Sequence, residues 1–589
     1  MDFLRNILST IIGVFLAMMI LFLGFLFIIA IAGSGGEPPI SIEENSVLEL
    51  RFDEPIKDYG GKYTFKEFDY RYVDYNGLNH ILHAIETAKT DDKIRGISVN
   101  TGMIRAGMAQ VKAIRDALQD FKTSGKFVYA YSDSYPQKDY YLASVADSIY
   151  LNPVGEINFR GLASEVLFFQ DFQEKSGIKM EVVRHGKFKS AVEPYLENEM
   201  SESNRLQISE LLHSIWAEML NDIEQDRNID IQKLNSIADA LGGNTAARAV
   251  QNRLVDDLLF NDEYSNRIAE AAQVASVDDF SYVPMERYAE YASKKRKSKN
   301  AEDKIAVIFA QGEIFYGEGS DSYIGQGIMM KALKEIREDE SIKGVVLRID
   351  SPGGSALASD IIWREVEITR AVKPMVVSMG DLAASGGYYI AMGAEKIFAE
   401  PTTITGSIGV FGLLPNVQGL TERIGINAEQ VGTNEQSSGY SIFEPMSQKV
   451  YNEIETGVEN VYDVFLQRVA DNRGLSVAAV DSIAQGRVWS GVEAKKVGLV
   501  DELGGLKEAI SAVAELAEIE NYSTVSYPEY QTNLKDVFQK FTLIPGIKNR
   551  KALIEEEIGT EAYQILKRIK SLMQQKGIQA RLPYELKIY

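Results

Sequence analysis

The residues best suited to covalent chemistry lie between Met379 and Val410, MGDLAASGGYYIAMGAEKIFAEPTTITGSIGV, and Ser385 is the candidate nucleophile among them. Pro374 to Met379 (PMVVSM) predicts a short buried strand and Tyr388 to Ala394 a helix, so Ser385 is expected at a strand-to-helix turn. The first N–H groups of a helix lack intrahelical partners and carry the positive end of its dipole, which stabilises an oxyanion forming beside them. Gly386 and Gly387 let a carbonyl approach the backbone. A serine followed by glycines is also an ordinary helix cap. Two further features favour the chemical reading. SPGGSA (Ser351 to Ala356) directly follows the strand pattern GVVLRID, and consecutive glycines there expose N–H groups of the kind a tetrahedral oxyanion needs. A base is also available. The half of the chain that holds Ser385 contains no histidine, so a Ser-His-Asp triad within it is excluded. The stretch VVRHGKFKSAVEPYLENEMS (Val182 to Ser201) carries His185, Lys187 and Lys189. A lysine can take a serine's proton if burial lowers its pKa from about 10.4 toward neutrality.

The elements that must position these groups come in two copies. KIRGISV (Lys93 to Val99), FVYAYS (Phe127 to Ser132) and the stretch from Tyr140 recur as SIKGVVL (Ser341 to Leu347), PMVVSM and the stretch from Tyr388. Tyr140 and Tyr388 differ by 248 positions, as do Gly96 and Gly344, which marks an internal duplication. Short apolar strands alternating with helices of roughly 12 to 15 residues predict α/β units with largely parallel sheets. At the same offset Ser385 falls on Gln137, Gly386 on Lys138, Gly387 on Asp139 and Ser407 on Phe159, so the first copy cannot repeat the nucleophile. The second copy has no lysine between Ile424 and Ser447, the counterpart of the Lys187 and Lys189 region. A serine from one copy and a lysine from the other would complement each other.

Composition narrows the classes. The chain has 589 residues, 62 Lys+Arg against 84 Asp+Glu and a net charge of -22, which leaves no basic face for nucleic acid. With no cysteine, disulfides, thiolate metal sites and a Cys nucleophile are excluded. No G-x-x-x-x-G-K-[ST] loop is present, so nucleotide use finds no support. His80 and His83, with Glu86 nearby, are expected on a solvated helix face rather than at a metal. Ile7 to Ala32 is almost wholly apolar and longer than the about 20 residues a bilayer requires. It predicts one membrane span; Ala30-Ile31-Ala32 also resembles a signal-peptidase site. Arg5 before the span and Glu37, Glu43 and Glu44 after it predict a cytoplasmic N-terminus with all later residues across the membrane.

Residues from about 40 to 535 resemble the long, duplicated form of the bacterial signal peptide peptidase A family, also called protease IV. The resemblance rests on DSPGGS, GDLAASGGYYIA, TGSIGV and GKFKSAVEP and on their order along the chain. It implies tandem Clp/crotonase-like α/β domains behind one N-terminal transmembrane helix, and a serine endopeptidase with no cofactor and no metal. Ser385 would be the nucleophile, Lys189 rather than Lys187 the general base, and Ser407 the residue that orients the lysine. Gly354 and Gly386 would form the oxyanion hole, and His185 would be local structure. The resemblance also implies remnant signal peptides as substrates, a homotetramer, and catalytic domains on the extracytoplasmic side of the bacterial inner membrane. The expected division is 1–36 cytoplasmic start and anchor, 37–292 lysine-bearing copy, 293–303 linker, 304–535 serine-bearing copy and 536–589 helical extension. Ile554 to Met573 has the apolar spacing of a docking helix. Two rivals share the fold: a non-catalytic peptide-binding scaffold, and a coenzyme A thioester enzyme, which an extracytoplasmic location disfavours.

Overall fold

The computed structural model describes residues 9–24, 40–52, 54–65, 71–296, 301–532 and 578–581. Residues 1–43 form one unit, in which 9–24 are helical with exposed side chains. Among the described residues no helix is long and apolar enough to cross a membrane. The expected span, Ile7 to Ala32, extends past 9–24 on both sides, and Ile554 to Met573 also lies outside the described residues.

The second unit, Glu44–Tyr589, contains two mainly parallel sheets. In the first the order is Asp257–Leu258, Ser148–Ile157, Phe127–Tyr135, Ile94–Val99, Ser46–Leu50 and Ser281–Pro284, all parallel. In the second it is Val488–Ser490, Ile404–Gly406, Met375–Ala384, Ile342–Ser351, Asp303–Gln311 and Tyr522–Tyr527, with Lys396–Ala399 also beside Met375–Ala384. Strands covered on both faces must be apolar at every position rather than at every second one. Asp303–Gln311 illustrates this. Ala306, Ile308 and Ala310 enter the main core with Leu347, Val377, Tyr388 and Phe465, while Ile305, Val307 and Phe309 pack on the opposite face with Val346, Val376 and Val513.

The duplication recurs in specific hydrogen bonds. Tyr140 Oη donates to Leu254 O at 3.0 Å and Tyr388 Oη to Leu499 O at 2.9 Å. Lys126 donates to Ala88 O and Asp91 O, and Lys373 to Ile336 O and Asp339 O. The 26-residue helices Glu202–Arg227 and Gln448–Arg473 start at the capping serines Ser201 and Ser447, and each ends in a left-handed residue, Asn228 or Gly474. The helix Met285–Arg296 runs into the basic stretch, where Lys294 pairs with Glu290 at 2.6 Å, and the next strand already begins at Asp303. Lysines and arginines near the C-terminal end of a helix suit the negative end of its dipole, which favours the helical state of residues 293–296.

Several contacts join the copies, two of them extensive. Lys179–Arg184 of the first pairs antiparallel with Phe411–Asn416 of the second over six residue pairs. That sheet continues through Gln579–Arg581 to Gly353–Ser355, Glu313–Phe315 and Tyr323–Gly325. Elsewhere Arg348 Nε donates to Asp58 at 2.5 Å in a buried ion pair, and Gln110 Nε2 donates to the other Asp58 oxygen at 2.9 Å. Asp381 accepts from Ala109 N at 2.7 Å, at the start of the helix Met108–Lys122. A side chain at Gly107 would collide with that carboxylate. Burial, with the Asp58 charge nearby, raises the Asp381 pKa to about 6.

Candidate active site

Met375–Ala384 runs further than the sequence pattern suggests and delivers the chain directly to Ser385, where the helix Gly386–Ala391 begins. Ser385 holds φ 56° and ψ -112°, a conformation that costs an L-residue energy and persists only where its surroundings enforce it. Here Ser385 N donates to Gly406 O at 2.8 Å and Tyr389 N donates to Ser385 O at 2.8 Å. The Ser385 side chain is fully buried.

Lys189 arrives from the first copy, because the antiparallel pairing of Lys179–Arg184 with Phe411–Asn416 ends beside the loop that carries Ser407. Lys189 Nζ lies 2.8 Å from Ser385 Oγ, 3.1 Å from Ser407 Oγ and 3.1 Å from Ser407 O. All three residues have 0% exposure. Burial pushes the Lys189 ammonium well below the usual lysine range, since a charged amine loses its hydration there. Lys187, two residues earlier, is exposed and packs its amine over the Phe188 ring. His185 Nδ1 meets Glu459 at 2.7 Å and the ring stacks on Tyr462.

The glycine loop approaches Ser385 from Gly353–Ser355. A Cβ built on Gly386 would lie 3.1 Å from Gly354 N, so the two amides expected to form an oxyanion hole are close neighbours. Gly353 adopts φ 92°, a region glycine tolerates, and Ser351 Oγ accepts from its N–H at 3.1 Å. The structure therefore brings together Ser385, Lys189, Ser407, Gly354 and Gly386.

Two supports were not visible from the sequence. Gln207 is buried; its amide donates to Phe188 O at 3.1 Å and Ser190 Oγ at 2.8 Å, and its oxygen accepts from Val488 N at 3.3 Å. It thus ties the turn on both sides of Lys189 to the serine-bearing copy. Gly486, at φ 80°, lies so close to Lys189 that a Cβ there would fall 2.5 Å from the lysine Cβ. Gln207 lies in a helix of mixed polarity, and no local pattern sets it apart. Gly486 carries only the weak signal of a glycine in a loop.

The corresponding place in the first copy is filled. The Gln137 side chain accepts from Arg160 N and Gly161 N at 2.9 and 3.0 Å, and donates to Gly161 O at 2.9 Å. Asp139 accepts from Ile104 N at 3.1 Å, so the loop equivalent to the glycine loop folds onto its own copy.

The model of peptidase family S49 matches residues 120–275 and 367–520, one segment in each copy. The chain belongs to peptidase family S49. A Clp protease model matches residues 296–437, in accord with a Clp-like mixed α/β fold. Protease 4 of Haemophilus influenzae is 34% identical, covering 85% of this chain and 84% of its own. Protease 4 of Salmonella typhi is 35% identical over 79% of this chain and 76% of its own. A putative signal peptide peptidase SppA of Enterococcus faecium is 32% identical over 41% of this chain and 70% of its own. The chain is accordingly a serine protease built from duplicated S49 domains.

Proposed function

We propose that this S49 protease cuts peptides with a Ser-Lys dyad of Ser385 and Lys189, and that its substrates are remnant signal peptides and other unfolded apolar peptides. The observation that carries the dyad is the 2.8 Å contact between Lys189 Nζ and Ser385 Oγ, both side chains being fully buried. Neutral Lys189 accepts the Ser385 proton as Oγ attacks the peptide carbonyl. The amides of Gly354 and Gly386 hold the oxyanion, and the proton on Lys189 passes to the leaving amine. A water, deprotonated by the same amine, then releases the acyl group from Ser385. Ser407 Oγ, 3.1 Å from Nζ, keeps the amine aimed at the nucleophile.

The substrate class follows the name of the Enterococcus relative and the apolar stretch Ile7 to Ala32, which would hold the enzyme at a membrane where such peptides remain. In this reading residues 1–36 anchor the chain in the bacterial inner membrane. Residues 37–292 and 304–535 form the two catalytic copies on the extracytoplasmic side, and the protein assembles as a homotetramer. The decisive experiment incubates an apolar peptide with purified wild type and with Ser385→Ala. Cleavage by the wild type alone is expected; equal cleavage by both removes Ser385 from the mechanism, and binding without cleavage by both favours a scaffold.

A further inference from the structure

Arg487 meets the supports of the proposed dyad from both copies. Its carbonyl accepts from Ser407 N at 2.6 Å, where the pairing between Ile404–Gly406 and Val488–Ser490 ends. Its guanidinium lies over two rings, 4.0 Å from the Trp489 centroid and 5.2 Å from that of Phe188. Trp489 belongs to the main core and its Nε1 donates to Ile483 O at 3.0 Å, so it is a fixed platform. Phe188 is buried and directly precedes Lys189. The guanidinium also forms an ion pair with Glu210, on the first copy's helix Glu202–Arg227.

The first copy, which lacks the nucleophile, lacks this side chain too. Thr245 and Ser490 cap equivalent helices, and nine residues after each stand Leu254 and Leu499, whose carbonyls accept from Tyr140 and Tyr388. Three residues before the two caps stand Gly242 and Arg487. A long cation at this place therefore accompanies the serine and the lysine rather than the fold.

We propose that Arg487, braced by Glu210, is a positioning residue that keeps Lys189 and Ser407 in register with Ser385. The proposal rests on the Ser-Lys reading above. Lys189 comes from one copy and both serines from the other, so the 2.8 and 3.1 Å separations at its amine depend on how the copies are fixed beside it. Through its carbonyl Arg487 holds the start of the Ser407 loop, and through its side chain it links the ring next to Lys189 to Trp489. A planar guanidinium can lie on aromatic faces and still donate to a carboxylate, which an ammonium cannot do at once. Burial is what lowers the Lys189 pKa, so Arg487 acts by placing and shielding the amine rather than through its charge.

The test measures kcat and KM on an apolar peptide across pH, with thermal midpoints, for the full chain and for Arg487→Met, Arg487→Lys, Glu210→Gln and the double variant Glu210→Gln/Arg487→Met. Arg487→Met is expected to lose about tenfold in kcat with KM within about twofold, because the lysine shifts by a fraction of an ångström. As Phe188 loosens, water reaches the amine, and the limb along which activity rises with pH should move up by about one unit. Arg487→Lys should behave alike, since charge alone does not restore the stack. Glu210→Gln should lose about threefold, and the double variant should match Arg487→Met, because the glutamate acts through the arginine. A folded Arg487→Met with wild-type kcat overturns the proposal, as does a lower kcat with an unmoved limb, which marks lost stability alone. If Arg487→Met does not fold, Glu210→Gln decides, and wild-type kcat and limb in that variant overturn the proposal. Lys189→Ala in the same assay separates the two readings. Activity in it sinks the dyad and this proposal together; an inactive Lys189→Ala beside an unchanged Arg487→Met leaves the dyad standing and removes the arginine.

Discussion

Gly486 offers a sharp test of how the lysine is held. It sits at φ 80°, and its Cα faces the Lys189 backbone. In Gly486→Ala the new Cβ would lie 2.5 Å from Lys189 Cβ and 2.6 Å from its Cα and N, where ordinary contact spans 3.4–4 Å. These are backbone atoms and the first atom of the side chain, so no distal torsion relieves the clash and Lys189 must move as a whole by roughly 1 Å. A displacement of that size costs about 10²-fold in rate when it spoils a reacting geometry, here the 2.8 Å approach of Nζ to Ser385 Oγ. In free energy that is ~2.7 kcal/mol of transition-state stabilisation. Alanine at positive φ carries its own strain of about 1 kcal/mol, which lowers stability without touching the site. Gly474→Ala isolates that part, because Gly474 has φ 65° with nothing within 4 Å of its added Cβ. The assay is kcat on an apolar peptide for both variants, alongside their thermal midpoints. Both midpoints should fall by similar small amounts, and only Gly486→Ala should lose kcat. A folded Gly486→Ala whose kcat stays within roughly twofold of Gly474→Ala would refute the argument that this close contact sets the lysine's position.

Because burial lowers the Lys189 pKa, the neutral amine exists at lower pH than in a free lysine, and activity should rise along a limb centred below about 10.4. Lys189→Arg should be inactive at every pH, and activity in it would exclude the lysine as base. The same shift makes the unfolded state the stronger proton binder between the folded and unfolded pKa values. Stability should therefore rise with pH through that window, and Lys189→Met should lose the slope in urea midpoints measured across pH. At the junction between copies, Asp58→Ala leaves the buried Arg348 guanidinium without its carboxylate and should cost about 3 to 5 kcal/mol. A loss under about 1 kcal/mol by urea unfolding would mean that water or another group replaces Asp58.

The sequence carried local chemistry and repetition well, because both are written in neighbouring residues. A buried strand leading into Ser-Gly-Gly, a second glycine pair after another strand, and an offset of 248 between the copies describe two α/β sheets and a nucleophile at a turn. Element ends were less legible. The strand before Ser385 continues to Ala384, since pairing with Ile404–Gly406 extends it beyond its own apolar run. Likewise the basic stretch after residue 292 stays helical through Arg296, supported by a pair four residues apart that composition alone does not reveal.

The choice between Lys187 and Lys189 shows the limit more clearly. Both are lysines in one short stretch, and the residues alone left them open; only the resemblance favoured Lys189. In the fold one is exposed over the Phe188 ring, and the other is buried 2.8 Å from a serine 196 positions away. That difference depends on the antiparallel union of Lys179–Arg184 with Phe411–Asn416, on Gln207 anchoring the turn, and on a glycine at 486 letting two backbones touch. The pairing of Ala580 with Gly354 is likewise a contact between distant parts of the chain. What this sequence determined by itself was the reactive group and the elements around it, because propensity and periodicity act over a few residues. The burial that lowers the lysine's pKa, and the partners that make a serine and an amine neighbours, came only with tertiary structure, because desolvation and distance belong to the packed chain as a whole.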